Sequence, residues 1–212
     1  MTSLMLDNLK QMLIDRKITE STNIFSDITN NDQFTGNEPI IDYENGTCVI
    51  IALTSASKKN IIDQLKPNTA KKNKENEEET DIHKSYKDFV ANFNKSVNYI
   101  MIFEELTTTD NKYLINFDKI LNKLNGLLSV FMYSDLHFNP TKHCLVDKHI
   151  KLTESEITEL MTKYSIKSKT QLPIILKSDP IAKWLGIKPG DIVKINRYNQ
   201  NSGLLPYYRA CV

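Results

Sequence analysis

The sequence lacks the features that mark secreted, membrane-spanning and zinc-binding proteins. Its 212 residues contain three cysteines, Cys48, Cys144 and Cys211, which are widely spaced and include no C-x-x-C pair. An odd number in this arrangement argues against a disulfide framework and against a zinc ribbon. No apolar run is long enough to span a bilayer, and the start MTSLMLDNLKQ carries an acid and has no signal-peptide core. We therefore expect an intracellular protein without a membrane partner.

An excess of one charge is also missing. Lys and Arg total 27 against 26 for Asp and Glu, so no strong net field gathers phosphates from solution. Lysines at 58, 59, 71, 72 and 74 could touch phosphate, but glutamates at 75 and 77–79 follow at once and cancel their field. Free nucleic-acid binding is therefore not expected to be the main task.

Apolar residues at helical spacing predict three helices in the first part of the chain. The first should follow Ser3 as its cap and end near Lys17, and two more are predicted within residues 82–93 and 117–124. Gly126 is predicted to be the C-terminal cap of the last one. The residues that define these helices are Leu4, Met5, Leu9, Met12 and Leu13, then Ile82, Tyr86, Phe89, Val90 and Phe93, then Phe117, Ile120, Leu121 and Leu124.

Short apolar runs rich in β-branched and aromatic residues predict buried strands at 47–53, 97–103 and 127–133. Strands separated by helices favour an α/β layer with parallel pairing. Residues 66–80 combine proline, asparagine and mixed charges with almost no apolar anchor, which predicts a mobile loop. We place a domain boundary near Pro140, which gives domains 1–140 and 141–212.

The second domain carries several local structure signals. Thr153 and Glu156 have the spacing of a capping box, and Asp179 followed by Pro180 predicts the start of a short helix. Gly186 can adopt the left-handed conformation that ends that helix.

A type II turn and a hairpin are predicted after this short helix. The sequence Lys188-Pro189-Gly190-Asp191 places proline and glycine where such a turn requires them. Arms at 192–197 and about 204–211 should follow, joined by the turn-rich residues 199–203.

The string QLPIILKSDPIAKWLGIKPGDIVKINRYNQNSGLLPYYR, at 171–209, resembles the C-terminal assembly domain of the RNA polymerase subunit 5 family. This family comprises the eukaryotic fifth subunit, whose C-terminal domain is similar to an archaeal polymerase subunit. Upstream, HCLVDKH at 143–149 resembles the family's H-x-L-V-P-x-H. The matching positions are Leu172, Pro173, Asp179, Pro180, Ala182, Gly186, Gly190, Val193, Ile195, Arg197, Gly203, Tyr208 and Arg209.

The chain departs from the family pattern at three places. Asp147 stands where the family has proline, and Tyr198, Asn199 and Asn201 replace the usual P-S-x-T at the tip of the hairpin. The T-P motif of the family's jaw domain has no proline counterpart in residues 105–110. The first two departures predict altered contacts at the hairpin tip, and the third concerns the jaw domain's contact with DNA.

The resemblance implies an α+β protein with an N-terminal α/β jaw-like domain and a small C-terminal α+β assembly domain that contains a β-hairpin. It implies a non-catalytic subunit of a DNA-dependent RNA polymerase that docks on the largest subunit, contacts other polymerase subunits and lies beside downstream duplex DNA within the complex. No cofactor, metal or catalytic residue is expected. The Asn, Lys and Ile bias, the lack of a diagnostic string in the N-terminal region and the departures at the hairpin tip together favour a large DNA virus of eukaryotes as the source. A viral source predicts a virion or cytoplasmic factory, whereas a cellular source predicts the nucleus.

We expect the assembly signature to shape or form the docking surface. Trp184 is either an interface anchor or a core residue, and Arg197 and Arg209 either bind partner carboxylates or phosphate or pair within the domain. The signature residues are Pro173, Asp179, Pro180, Trp184, Gly186, Gly190, Val193, Arg197, Gly203, Tyr208 and Arg209.

Two other functions are compared with that of a polymerase subunit. An independent nucleic-acid-binding module or relic nuclease would use the carboxylates near the predicted strands, Asp42, Glu44, Glu104 and Glu105, but neither Glu104 nor Glu105 is followed by the required lysine. An unrelated adaptor could also carry the assembly domain.

A metal site built from His143, Cys144 and His149 is disfavoured by the spacing of these residues.

Overall fold

A computed structural model describes residues 3–19, 40–43, 46–66, 89, 97–201 and 203–212. The chain divides into two compact units, Met1–Phe138 and Asn139–Val212. Beyond Lys66, the predicted mobile loop lies outside the described residues, and so does the predicted helix at 82–93 apart from Phe89. None of the helices within the described ranges is long and apolar enough to cross a membrane.

The first unit is built on a four-stranded mixed sheet of order β1-β2-β3-β4. The strands β2, β3 and β4 are parallel, which confirms the predicted pairing, and β1 is antiparallel to β2. Its elements are α1 (Ser3–Asp15), β1 (Ile40–Tyr43), β2 (Thr47–Ala52), α2 (Ser55–Gln64), β3 (Asn98–Phe103), α3 (Thr108–Lys123) and β4 (Leu127–Met132). The three predicted strands are thus confirmed, whereas β1 and α2 were not predicted.

Helix α1 follows the predicted pattern with two exceptions. Ser3, predicted as the cap, is the first residue of the helix, and its hydroxyl donates to Asp7 at 3.4 Å. Leu4 was predicted on the buried face but is exposed. The buried face consists of Met5, Leu9, Met12 and Leu13.

Gly126 does not take the role predicted for it. The residue with left-handed backbone after α3 is Asn125, at φ 56°, and the Gly126 N–H donates to the Leu121 carbonyl at 2.8 Å. A Cβ at position 126 would lie 2.3 Å from the carbonyl oxygen of Val97. Gly126 is therefore required by the close approach of two backbone segments, and the C-terminal cap predicted at Gly126 lies at Leu124.

The sheet of the first unit has a different neighbour on each face. Helices α2 and α3 cover one face, where the rings of Phe89, Tyr99 and Phe117 meet with centroids 5.2 to 5.8 Å apart. Residues alternate between faces along a strand, so Ser129 and Phe131 lie on the other face. There the Arg16 guanidinium donates to the Ser129 hydroxyl at 3.1 Å, and burial lowers the pKa of Arg16 to about 9.

The second unit is a smaller four-stranded sheet of order β5-β7-β8-β6. The hairpin β7–β8 is antiparallel and confirms the prediction, although its arms are longer than predicted. The elements are β5 (His149–Lys151), α4 (Glu154–Lys163), β6 (Ile174–Ile175), α5 (Pro180–Leu185), β7 (Ile192–Asn199) and β8 (Gly203–Cys211). Helices and sheets in both units confirm the α+β fold class.

The two faces of the hairpin's first half are buried in separate clusters. Val193 and Ile195 pack with Ala182 and Ile187, in and after α5, on one face. Ile192 packs with the apolar side of α4, including Ile157, on the other. Because successive side chains of a strand point to opposite faces, this half of the hairpin is covered on both sides.

Candidate docking surface

Local motifs fix the helices that flank the hairpin. Thr153 and Glu156 form the predicted capping box, in which the Thr153 N–H and hydroxyl each donate to the Glu156 carboxylate at 2.8 Å. These bonds lower the pKa of Glu156. Asp179 accepts from the Ile181 N–H at 2.8 Å at the start of α5, and Gly186 ends that helix at φ 65°.

The turn that leads into β7 is the predicted type II turn. The Asp191 N–H donates to the Lys188 carbonyl at 3.0 Å, and Gly190 has φ 91°. Gly190 also donates to the Cys211 carbonyl at 2.9 Å and accepts from Lys169 Nζ at 2.8 Å. The turn therefore links the start of β7 to the end of β8.

The signature residues fall into three groups by position. Trp184 and Val193 are buried, and Trp184 is only 1% exposed. Tyr208 and Arg209 are half-buried, while Pro173 and Arg197 are exposed. The remaining residues form caps and turns, namely Asp179, Pro180, Gly186, Gly190 and Gly203.

The position of Trp184 decides between the two roles considered for it. A side chain that is only 1% exposed in the chain alone cannot insert into a pocket of a partner. Trp184 therefore belongs to the buried core, which favours the core role of the two considered for it.

The second half of the hairpin exposes apolar side chains that we did not predict as site residues. Tyr198, Leu204 and Leu205 are 73%, 66% and 49% exposed. Nearby, the Asn196 N–H donates to the Lys148 carbonyl at 3.3 Å, so the segment before β5 runs beside this half of β7. In that segment Leu145 is 84% exposed. These exposed residues could have been found from the sequence. Apolar residues near the tip of a predicted hairpin lie beyond the helices that would cover them.

Two arginines flank one tyrosine on the hairpin. The guanidinium carbons of Arg197 and Arg209 lie 4.6 Å and 5.7 Å from the centroid of the Tyr207 ring. The pairing of Ile195 with Tyr207 and of Arg197 with Leu205 places these side chains on one face of the sheet. Such stacking favours a fixed guanidinium orientation.

Both arginines retain unused hydrogen-bonding capacity. Arg197 Nε is 3.9 Å from an Asp147 oxygen, a long contact between two side chains that are about half exposed. Arg209 Nε is buried and has no hydrogen-bond partner within the described residues. A guanidinium carries five N–H donors, so both side chains can take a further acceptor.

The residues considered for metal binding have local structural roles. His143 Nδ1 accepts from the Leu145 N–H at 3.2 Å, and His149 Nδ1 lies 2.7 Å from the Asp147 carbonyl. Cys144 is exposed. The part of the chain that the structure describes contains no group of three or more His, Cys, Asp or Glu residues that could hold a metal ion.

Of the carboxylates considered for a nuclease, Glu104 and Glu105 directly follow the carboxyl end of β3. Glu104 and Glu105 line a concavity of about 60 Å³, well below the roughly 300 Å³ at which small-molecule sites begin. Lys58, at its rim, pairs with Asp110 at 3.7 Å. Glu44 and the side chain of Asp42 are not among the described residues.

Comparisons with known proteins find relatives of this chain among RNA polymerase subunits. Residues 138–211 match the family model of the RNA polymerase Rpb5 C-terminal domain. A segment of 85 residues is 44% identical to "DNA-directed RNA polymerases I, II, and III subunit rpabc1" of Dictyostelium discoideum and covers 40% of this chain and 43% of that protein. A segment of 75 residues is 48% identical to "DNA-directed RNA polymerase subunit Rpo5" of Pyrococcus horikoshii and covers 35% of this chain and 90% of that protein.

The residues that form the capped short helix, the type II turn and the hairpin thus lie within the match to the RNA polymerase Rpb5 C-terminal domain. The chain belongs to the family defined by the RNA polymerase Rpb5 C-terminal domain. The match spans less than half of the Dictyostelium relative, and residues 1–137 lie outside the range of the family model.

Proposed function

We propose that this protein is a non-catalytic subunit of a multisubunit DNA-dependent RNA polymerase and acts in transcription. The proposal is carried by the family match over 138–211, together with a relative of which 90% is covered and which is named as a polymerase subunit. Catalysis and its metal would then belong to other subunits of the complex.

The second unit is the part that docks, and its partner is the largest polymerase subunit. The support is the contrast along the hairpin, whose first half is buried by α4 and α5 while its second half exposes Tyr198, Leu204 and Leu205. Exposed apolar side chains that are grouped together are typical of interaction surfaces. A docked partner would remove them from water and stabilise the hairpin.

The first unit acts as the jaw-like domain beside downstream duplex DNA in the assembled complex. Its mixed sheet, with α2 and α3 packed on one face, is compatible with that role. The near balance of 27 basic and 26 acidic residues gives little affinity for free DNA, so the contact would depend on assembly.

The test is to tag the full chain in its native source, purify it gently and identify the stoichiometric companions by mass spectrometry. Recovery of both large polymerase subunits supports the proposal, and their absence refutes it. Recovery of the largest subunit without the other subunits of an active enzyme would indicate an adaptor instead. The same purification from fractionated cells or virions identifies the compartment, and recovery from nuclei of an uninfected organism would overturn a viral source.

A nuclease function predicts a different result on the isolated protein. Magnesium-dependent cleavage of duplex DNA that is lost in Glu104→Gln would favour the nuclease. We expect no cleavage.

A further inference from the structure

The face of the hairpin that carries Arg197, Tyr207 and Arg209 combines two kinds of binding group. The two guanidiniums lie 4.6 Å and 5.7 Å from the Tyr207 ring, and Leu205 is the cross-strand neighbour of Arg197 on the same face. Cationic donors and an exposed leucine thus occur side by side. We call this set of four residues the arginine face.

The charges of the arginine face are incompletely compensated by the chain itself. Among the described residues, the one acid in an ion pair with it is Asp147, whose oxygen is 3.9 Å from Arg197 Nε. The buried Nε of Arg209 meets no acceptor in the described part of the chain. The Nε atom itself is covered, but Arg209 is half-buried and Arg197 is exposed, so a partner carboxylate can accept from the other N–H donors of the two guanidiniums.

The apolar neighbours indicate what carries that carboxylate. Phosphates of a nucleic acid backbone would satisfy the guanidiniums but would leave Leu205 uncovered, together with Leu204 and Tyr198 on the reverse side of the hairpin tip. A protein segment can present acidic and apolar side chains together, and Arg and Tyr are enriched where such segments bind.

We propose that the arginine face binds an acidic segment of a partner protein, with carboxylates on Arg197 and Arg209 and apolar side chains on Leu205. This inference rests on the proposed function, since the partner is then another polymerase subunit. Its chemistry, an acidic and partly apolar protein segment, goes beyond the assignment of a docking unit.

The first test compares the recovery of partner proteins by tagged full-length variants in the native source. Arg197→Glu should lower the recovery of polymerase subunits at least about tenfold, because it places an acid against the partner's carboxylates. Lys163→Glu is the matched control, since Lys163 also lies over an exposed ring, that of Tyr164 at 5.6 Å, but on α4. It should retain recovery within about twofold of the unmodified protein.

The pair with Asp147 provides a second comparison. If Arg197 serves only to hold Asp147, then Asp147→Asn should lower recovery as much as Arg197→Glu does. If Arg197 binds a partner carboxylate, Asp147→Asn removes a competitor and should leave recovery unchanged or raise it. Thermal unfolding of each variant establishes that it is folded, and Arg197→Gln replaces Arg197→Glu if the latter is not.

Cross-linking identifies the bound group directly. Arg197→Lys combined with Asp147→Asn places an amine at the site, and a carbodiimide joins an amine to a carboxylate in contact with it. A cross-link from position 197 to an Asp or Glu of a co-purified subunit supports the inference, and no cross-link in a complex that still forms refutes it.

The outcomes separate this inference from the proposed function. If the unmodified protein recovers polymerase subunits and Arg197→Glu recovers them equally well, the inference is wrong and the proposed function stands. If nuclease treatment releases the partners, the arginine face binds nucleic acid and the inference is overturned. If the unmodified protein recovers no polymerase subunit, both fail together.

Discussion

Substitutions at Gly190 test whether backbone conformation at a single turn controls the stability of the second unit. Gly190 has φ 91°, and a Cβ built there meets no atom within 4 Å. A larger side chain would therefore cost stability through conformation and not through collision. The left-handed backbone costs an L-residue about 1–2 kcal/mol, asparagine less, and a β-branched residue more. The series Gly190→Asn, Gly190→Ala and Gly190→Val should thus be progressively less stable.

The chain provides a built-in probe for this series. Trp184 is its single tryptophan and is buried in the second unit. Tryptophan fluorescence during thermal unfolding therefore reports on that unit. For a domain of this size, a loss of about 1–2 kcal/mol in Gly190→Ala corresponds to a fall in melting temperature of roughly 4–16 °C.

The order of the three melting temperatures tests whether the turn imposes a positive φ at position 190. Equal melting temperatures for Gly190→Asn and Gly190→Val would show that the turn does not impose positive φ on the folded unit. Gly190→Val should in addition lower the recovery of polymerase subunits, because the Gly190 N–H ties the turn to Cys211 at the end of β8. Undiminished recovery with a lowered melting temperature would separate turn stability from docking.

Three further substitutions have defined outcomes. Gly126→Ala places a Cβ 2.3 Å from the Val97 carbonyl and should destabilise the first unit by about 1–3 kcal/mol, seen as an earlier loss of circular dichroism on heating. Asp179→Ala removes the cap of α5 and should lower the stability read by tryptophan fluorescence by about 0.5–2 kcal/mol. Glu156→Ala should destabilise at pH 7 but not in acid. Hydrogen bonds from Thr153 lower the pKa of Glu156, so its contribution is complete above the ordinary Glu pKa and is lost as pH falls through the lowered value; a difference that persists in urea unfolding at pH 2 would contradict this.

Sequence reasoning succeeded where a feature depends on a few neighbouring residues. The capping box at Thr153, the cap at Asp179 and the turn at Gly190 each need only a short motif, and the structure confirms all three. Buried strands such as β3 were also predictable, because an unbroken β-branched and aromatic run has few alternatives.

The failures concern features that depend on distant parts of the chain. Helix α2 contains Ser, Lys and Asn with few apolar residues, and its two isoleucines give a weak pattern until the sheet that buries them is known. Gly126 was assigned to a cap because the clash with Val97 arises only when two strands are paired.

In the candidate docking surface, too, the residues could be predicted from a local motif, but their mutual contacts could not. The family string marks Arg197 and Arg209, but their common contact with Tyr207 follows from the register of β7 with β8, in which Ile195 faces Tyr207. A shift of that register by one residue would move the side chains of one strand to the opposite face. No motif in the sequence fixes this register to the residue, so the arginine face could not be predicted.

The first half of the hairpin thus contributes to stability and the second half to partner binding, and this division can be tested. Val193, in its first half, is packed under α5, so changes there should alter stability before they alter binding. Arg197, in its second half, is exposed, and surface substitutions of this kind typically change stability by less than about 0.5 kcal/mol. Val193→Ala should therefore lower the melting temperature, whereas Arg197→Glu should leave it nearly unchanged and lower partner recovery. If both variants lost stability and recovery in proportion, docking would depend on the folding of the hairpin as a whole and not on the arginine face.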